Sequence, residues 1–167
     1  MSFGTKTFAE HQKSMKLFKK FKWLFVALVV AFIVMQFFNP ERTNPPVKSD
    51  FVAATRPPPE IAQMFRTSCY DCHSHETKWP WYSHIAPVSW NVVSDVEYGR
   101  ANMDLSDWPT NAIKAAKKLS VMSDDIQSGD MPMKKYTLIH RDARLTDAQR
   151  KQLTDWLDAQ VEKLQSQ

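Results

Sequence analysis

The residues with the most distinctive chemistry in this 167-residue chain are two cysteines and a histidine. Cys69, Cys72 and His73 lie in the stretch "SCYDCHSHE", and the chain contains no other cysteine. Two thiols at this spacing beside an imidazole are compatible with covalent haem attachment, zinc binding, a redox dithiol or a structural disulfide. The remainder of the chain has to favour one of these four.

The order Cys-x-x-Cys-His is the attachment signal for c-type haem. In that chemistry the thiols of Cys69 and Cys72 add to the two vinyl groups of the macrocycle, and His73 binds the iron from the proximal side. One helical turn between the cysteines matches the separation of the vinyl groups. We therefore predict one covalent haem c bound by Cys69, Cys72 and His73, with His73 as a metal ligand.

The other three chemistries have weaker support in the sequence. A zinc site would need two ligands besides the thiols, drawn from His73, His75 and His84. Cys72 and His73 are adjacent, which is a tight geometry for shared tetrahedral ligation. A thioredoxin-like dithiol is expected in a βαβ context, and a disulfide across so short a loop would stabilise little.

The sixth iron position separates electron transfer from ligand binding, because a filled position favours electron transfer. Met131 is the predicted ligand, since it lies in the loop "GDMPMKKY" and Pro132 stiffens the chain beside it. Methionine with histidine raises the reduction potential relative to two histidines. The alternatives left open are an unoccupied position, Met133, and a histidine such as His84 or His140.

The N-terminal part of the chain predicts a membrane anchor. Residues 21–38, "FKWLFVALVVAFIVMQFF", reach the roughly 17–25 residues that cross a bilayer. A cleavable signal peptide is disfavoured because no small-residue cleavage pattern follows the run. Lysines crowd residues 1–20, so the positive-inside rule predicts a single-pass protein of the bacterial inner membrane, with that segment in the cytoplasm and the rest in the periplasm.

The net charge of the chain is concentrated in the same segment. Residues 1–38 hold six lysines and one acidic residue, so their net charge is +5. The whole chain has a net charge of +4, so residues 39–167 carry −1. The basic character therefore belongs to the N-terminus, and no nucleic-acid partner is expected for the remainder.

The remainder of the chain divides into a linker and a domain. Residues 39–58 are proline-rich and predict an extended stalk, and residues 59–167 predict a haem-binding domain. Few glycines and no alternating strand pattern indicate an all-α, cytochrome c-like domain of about four helices with a long aromatic loop.

Local signals place the four helices. Helix starts are expected near Pro59, at Pro87, after "LSDWPT" and at the capping box Thr146-x-x-Gln149. The second helix is expected to end near Gly99, and Gly129 to end the third. The predicted apolar face of the third helix consists of Ile113, Ala116, Leu119, Met122 and Ile126. An aromatic set is expected to line the haem: Trp79, Trp81, Tyr82, Trp90, Trp108 and Tyr136.

The stretches "CYDCHSHETKWPWYSHIAPVSW", "DVEYGR" and "GDMPMKKYTLIHRDARLT" together resemble the small bacterial haem-binding domain family related to cytochrome c. The resemblance covers roughly residues 45–160. It implies one covalent haem on Cys69, Cys72 and His73, with Met131 of the Met-Pro pair as distal ligand, and often one N-terminal membrane segment. Met133 departs from the family pattern by offering a second sulfur.

These expectations favour a membrane-anchored monohaem c-type cytochrome that carries single electrons at the periplasmic face, alone or within a respiratory complex. Its partners would then be redox proteins, and neither enzymatic activity nor a small-molecule substrate is expected. The alternatives are a haem-based sensor or peroxidase-like protein, with His140, Arg141 and Arg144 as acid–base groups, or a structural subunit of a membrane complex.

Overall fold

A computed structural model of the chain describes residues 4–166, and the side chains of residues 11–166. The described part is all-α, as predicted, and contains no strand apart from one isolated bridge between Ser49 and Asp107. Its α-helices are α1 Gly4–Met35, α2 Phe51–Thr55, α3 Pro59–Ser68, α4 Tyr70–His73, α5 Val88–Asn102, α6 Ala112–Ser128, α7 Lys134–Ile139 and α8 Asp147–Gln165. Short 3₁₀ helices lie at Gln36–Phe38, Trp81–His84 and Arg141–Ala143.

The chain divides into two compact units. The first comprises the N-terminal residues as far as Pro40 together with Trp81–Trp90, and the second comprises Glu41–Pro80 and the chain from Asn91 onward. In the first unit, His11–Phe38 is a continuous helical span long and apolar enough to cross a membrane, with a mean hydropathy of 2.2. Its side chains are largely exposed, which is the pattern of a helix that packs against no protein core.

The core of the second unit joins α6 and α8 to α3. Buried residues along α6 and α8 recur at helical spacing and face each other: Leu119, Met122, Ile126, Leu153 and Leu157. Four aromatic rings close the α3 side of this core in edge-to-face contacts, with centroids 4.6–6.2 Å apart: Phe51, Phe65, Trp108 and Trp156.

Two predicted helix ends are confirmed. Thr146 accepts a hydrogen bond from the Gln149 backbone N–H, and Gln149 reciprocates to the Thr146 backbone, which completes the capping box of α8. Gly129 ends α6 in the left-handed conformation with φ 82°, where glycine has no Cβ penalty.

The segment predicted as an extended stalk is partly helical. Asp50 caps α2 by accepting from the Ala53 N–H at 2.8 Å, and the Phe51 side chain is fully buried. The chain before α2 pairs with residues 105–108, where the Phe51 N–H donates to the Leu105 carbonyl at 2.8 Å. Residues from this segment therefore belong to the core of the second unit.

Three further expectations were wrong. Helix α5 continues past Gly99 to Asn102. This glycine does not end the helix; it lies so close to the backbone of Cys72 that a side chain would not fit there. Ile113 is 81% exposed, since it lies on the outer face of the first turn of α6. The aromatic residues also have other positions: Trp81 is 76% exposed, and Trp108 belongs to the core cluster.

Candidate functional site

The Cys-x-x-Cys-His residues form a single tight turn between α3 and the end of α4. Helix α3 ends at Ser68, and the Cys69 carbonyl accepts from the backbone N–H groups of Cys72 at 3.2 Å and His73 at 2.9 Å. This turn is one helical repeat, so it keeps both thiols and the imidazole close together. The helical turn that the sequence predicted between the two cysteines is therefore present.

The imidazole of His73 is fixed by the backbone of α5 and the residue that follows it. Its Nδ1 lies 3.0 Å from the carbonyl oxygens of both Gly99 and Met103. Because both partners only accept hydrogen bonds, Nδ1 carries the proton, and Nε2 is left with a free lone pair. A metal-binding histidine is typically oriented in this way by a backbone carbonyl.

Burial lowers the pKa of His73, and the two carbonyl bonds and the carboxylates of Asp125 and Asp104 only partly oppose this effect. The ring is therefore neutral at pH 7, which is the state that binds a metal ion.

Gly99 allows α5 to approach the turn. A Cβ at this position would lie 2.6 Å from the Cys72 carbonyl oxygen and 3.1 Å from its carbonyl carbon, both backbone atoms. Any side chain would force α5 away from Cys72 and His73. The glycine thus permits the hydrogen bond that orients the imidazole.

Two clefts open beside His73. The first has a volume of about 440 Å³, its open mouth included, and is lined mainly by apolar side chains and sulfur atoms: Ser68, Cys69, His73, Met103, Leu105, Met122, Asp125, Ile126, Met131 and Pro132. The second measures about 810 Å³ and shares four of these residues with the first: His73, Met103, Asp125 and Met131. Cys72 and Met133 line only the second.

Met131 is held in the clefts by its own backbone. Its N–H donates to the Asp125 carbonyl at 3.0 Å, and its carbonyl accepts from Arg150 Nη1 at 3.0 Å. The loop methionine is therefore tied to α6 on one side and to α8 on the other. Met103, Met122 and Met133 also line one or both clefts, so four methionine side chains line the clefts beside His73.

The other candidate ligands have different surroundings. In His75, Nδ1 lies 3.0 Å from the Pro46 carbonyl and Nε2 lies 2.9 Å from Asp104, so both ring nitrogens are engaged. His140 stacks on Tyr136 with ring centroids 4.3 Å apart. His84 belongs to the first unit. None of these histidines, and none of the six aromatic residues expected there, lines either cleft.

The thiols do not resemble a redox dithiol. Burial raises the pKa of Cys69 to about 12 and that of Cys72 to about 11, with further contributions from Cys72 and from Asp71 and Asp95 respectively. Reactive cysteines have a lowered pKa. Among the described residues no three His, Cys, Asp or Glu side chains converge to hold a metal ion, so a zinc site lacks a ligand set as well.

The residues present fit a haem. His73, with a free Nε2, lines both apolar clefts together with Met103 and Met131, while Cys69 lines the first cleft and Cys72 the second. Cys69, Cys72 and His73 would hold the group, Met131 would be available as a further ligand, and the bound iron would supply one-electron chemistry. The sequence had indicated these four residues; it had not indicated the supporting Gly99, Asp125 and Arg150, which only the fold brings to them.

One comparison with known proteins gave a match. The sequence model of the haem-binding domain family matches residues 30–159, which is most of the chain. Searches of curated proteins and of solved structures each gave no match. Because the family match covers well over half of the sequence, this chain belongs to the haem-binding domain family.

Proposed function

We propose that this protein is a membrane-anchored monohaem c-type cytochrome that carries single electrons at the periplasmic face of the bacterial inner membrane. The observation that carries the proposal is the arrangement of Cys69, Cys72 and His73 on one turn, with the Nδ1 proton of His73 directed to two backbone carbonyls. This arrangement leaves Nε2 for iron and both thiols for thioether bonds, as the motif requires.

The anchoring part of the proposal rests on the first unit. The helical span His11–Phe38 is apolar enough to cross a membrane, and the lysines precede the apolar run. The positive-inside rule then places the N-terminus in the cytoplasm and the haem domain in the periplasm. A tether of this kind keeps a redox protein close to membrane-bound partners, such as subunits of a respiratory complex, and raises its effective concentration there.

Electron transfer is favoured over sensing or peroxidase chemistry by the contents of the clefts. Peroxidase chemistry needs acid–base groups beside the iron, but His140, Arg141 and Arg144 line neither cleft. Met131, in contrast, is tied into both clefts through its backbone. We therefore propose Met131 as the sixth ligand and a carrier with no substrate site of its own.

The test uses the full-length protein, matured in a bacterial periplasm and purified in detergent. We expect haem that stays with the protein after denaturation, a low-spin reduced spectrum, and a weak sulfur-to-iron band in the oxidised form. Met131→Ala should remove that band, allow carbon monoxide to bind and lower the reduction potential, because a thioether ligand raises it. Met133→Ala is the matched control and should leave all three unchanged.

Three results would contradict parts of this proposal. Absence of covalent haem after maturation would reject the cytochrome. A wild-type protein that binds carbon monoxide at once would reject the filled sixth position and favour the sensor. Loss of the sulfur band in Met133→Ala, with Met131→Ala unaffected, would move the ligand to Met133.

A further inference from the structure

The end of the apolar span carries a second feature in the first unit. Residues Trp81–Trp90 lie against the last turn of α1 and the 3₁₀ helix Gln36–Phe38, and they belong to the same compact unit. We call Trp81–Trp90 the aromatic loop. Hydrogen bonds between residues 36–39 and residues 86–90 hold the aromatic loop against the end of the helix.

Gln36 holds the aromatic loop through a paired contact. Its Nε2 donates to the Ala86 carbonyl at 3.1 Å, and its Oε1 accepts from the Ala86 N–H at 3.0 Å. Ser89 Oγ donates to Asn39 Oδ1, and both Ala86 and Ser89 are fully buried. Lys22 and Gln36 are the two polar residues of the run 21–38, and Gln36 holds this loop.

The carbonyl groups at the helix end are satisfied by side chains. A helix terminus leaves its last carbonyls without intrahelical partners, and side chains, water or 3₁₀-type bonds can fill that role. Here Gln36 Nε2 donates to the Phe32 carbonyl, Asn39 Nδ2 to the Gln36 carbonyl and Trp90 Nε1 to the Phe38 carbonyl, at 2.8–2.9 Å. Internal satisfaction of backbone groups is what a water-poor environment requires.

The surface of this assembly is apolar and uncharged. Five large side chains on it are substantially exposed: Phe37 82%, Phe38 70%, Trp81 76%, Val88 46% and Trp90 40%. No Asp, Glu, Lys or Arg occurs in residues 23–40 or in the aromatic loop. Exposed aromatic residues in this number are unusual on a water-facing surface, whereas Trp concentrates at membrane interfaces, where one part of the ring is apolar and the N–H is bonded.

The length of the span places this surface at a defined depth. Residues 21–38 form about 27 Å of helix at 1.5 Å per residue, close to the roughly 30 Å of the hydrocarbon core. Lys22 then lies near one interface, and Phe37 and Phe38 lie near the other. The aromatic loop is bonded to residues 36–39, so it reaches that same second interface.

We infer that the aromatic loop lies in the lipid headgroup and upper acyl region of the outer leaflet, as a second membrane contact beside the anchor. The occupant of the exposed face of Trp81, Val88 and Trp90 is thus lipid. The inference rests on the membrane anchor of the proposed function and adds to it a site of contact that lies 43 or more residues further along the chain than Phe38.

The test is photolabelling of the full-length protein by lipid. The protein is reconstituted in phosphatidylethanolamine and phosphatidylglycerol vesicles that contain a lipid with a diazirine near the glycerol end of an acyl chain. After irradiation, trypsin releases residues 79–100 as one peptide between Lys78 and Arg100, and residues 101–114 as another. Fragment spectra then locate the label within each peptide.

We expect label in residues 21–38 and within Trp81–Trp90, and about tenfold less in residues 101–114, as an interface-confined probe requires. The peptide 101–114 is a matched control because its Ile113 is 81% exposed and apolar. Trp81→Ser should reduce the label in the aromatic loop several-fold without changing that in residues 21–38. Ile113→Ser should change neither.

The outcomes separate the anchor from the loop. Label in residues 21–38 with none in Trp81–Trp90 would overturn the inference and leave the anchor intact, as expected if a partner protein or a second copy covers the loop. Equal label in residues 101–114 and the loop would overturn it too, because exposure alone would then explain the reaction. No label in either segment would reject both the anchor and the loop contact.

Discussion

The close approach of Gly99 to the backbone of Cys72 gives a sharp test of the geometry of the candidate site. Gly99→Ala places a Cβ 2.6 Å from the Cys72 carbonyl oxygen and 3.1 Å from its carbonyl carbon. Neither atom belongs to a flexible side chain, so α5 and the Cys-x-x-Cys-His turn must separate. The separation weakens the 3.0 Å contacts between His73 Nδ1 and the carbonyls of Gly99 and Met103.

Three terms set the size of the effect. Overpacking of this kind costs about 1–3 kcal/mol, and the weakened histidine bond costs roughly 0.5–1.5 kcal/mol more. Replacement of glycine by alanine in a helix interior returns about 1 kcal/mol through helix propensity. We therefore expect Gly99→Ala to lower the free energy of unfolding by about 0.5–3.5 kcal/mol, even though alanine is the better helix former.

The assay is denaturant unfolding of the purified holoprotein, together with its reduction potential. The potential should rise, because an imidazole that loses its Nδ1 hydrogen bond is less basic and stabilises oxidised iron less. Ser94→Ala is the control for helix propensity, since Ser94 is exposed on the same helix. Gly129→Ala is the control for glycine itself: its φ of 82° makes the substitution costly, but the added Cβ would meet no atom within 4 Å and should not move the potential.

A Gly99→Ala protein as stable as the wild type, with an unchanged potential, would refute the reasoning. It would mean that α5 does not approach Cys72 closely and that His73 is not oriented by the Gly99 carbonyl. Loss of stability with no change in the reduction potential would support the close packing of α5 on Cys72. It would contradict the role of the Gly99 carbonyl in orienting His73.

Three further changes probe the frame around the site by the same unfolding assay. Arg100 donates four hydrogen bonds, to Ser74, Thr43, Asn44 and Thr77, so Arg100→Gln should cost roughly 2–4 kcal/mol. Phe51→Ala should cost roughly 3–5 kcal/mol, because a fully buried ring leaves a cavity. Burial, followed by the bond to Asp50, raises the pKa of Tyr70 above its ordinary value of about 10. Stability should thus be constant below about pH 10 and fall as the pH rises further, since the unfolded chain then releases the proton first; Tyr70→Phe should flatten that fall.

Each change has a matched control. Exposed Arg144→Gln, Leu138→Ala and Tyr98→Phe should each change stability by less than about 0.5 kcal/mol. If Phe51→Ala were as mild as Leu138→Ala, the segment around residue 51 would be a stalk after all. An alkaline transition identical in wild type and Tyr70→Phe would contradict the hydrogen bond to Asp50, and an Arg100→Gln protein of wild-type stability would contradict the four-bond contact.

The elements predicted correctly carry their signals in adjacent residues. The capping box of α8, the glycine that ends α6 and the long apolar run each specify their conformation through local hydrogen bonds, backbone preference or composition. The Cys-x-x-Cys-His motif is local in the same sense. Its candidate ligand Met131 was indicated by loop context, and the structure places it beside His73, while its role on iron stays a prediction.

The features that were missed depend on partners distant in sequence. Gly99 looks like a helix terminator until α5 is seen against Cys72. Helix α2 is followed by Arg56, which has the left-handed conformation with φ 50°. Glycine is the usual residue at such a helix end, so nothing in the sequence signalled this boundary. The number of aromatic residues did not show which rings join the core and which stay exposed. Trp108 is buried and Trp81 is exposed, and this difference comes from tertiary contacts that the sequence around each residue does not indicate.

The folded segment after the apolar helix α1 has a consequence for how the domain could be released. The carbonyl of Thr43 and the side chain of Asn44 are already bound by Arg100, and Phe51 lies in the core. A soluble fragment that begins at residue 59 would therefore lack part of its own core, and the start has to lie at or before Glu41. A protease that cut between Phe38 and Glu41 would still leave Trp81–Trp90 hydrogen-bonded to the helix end, so a single cleavage would not shed the domain.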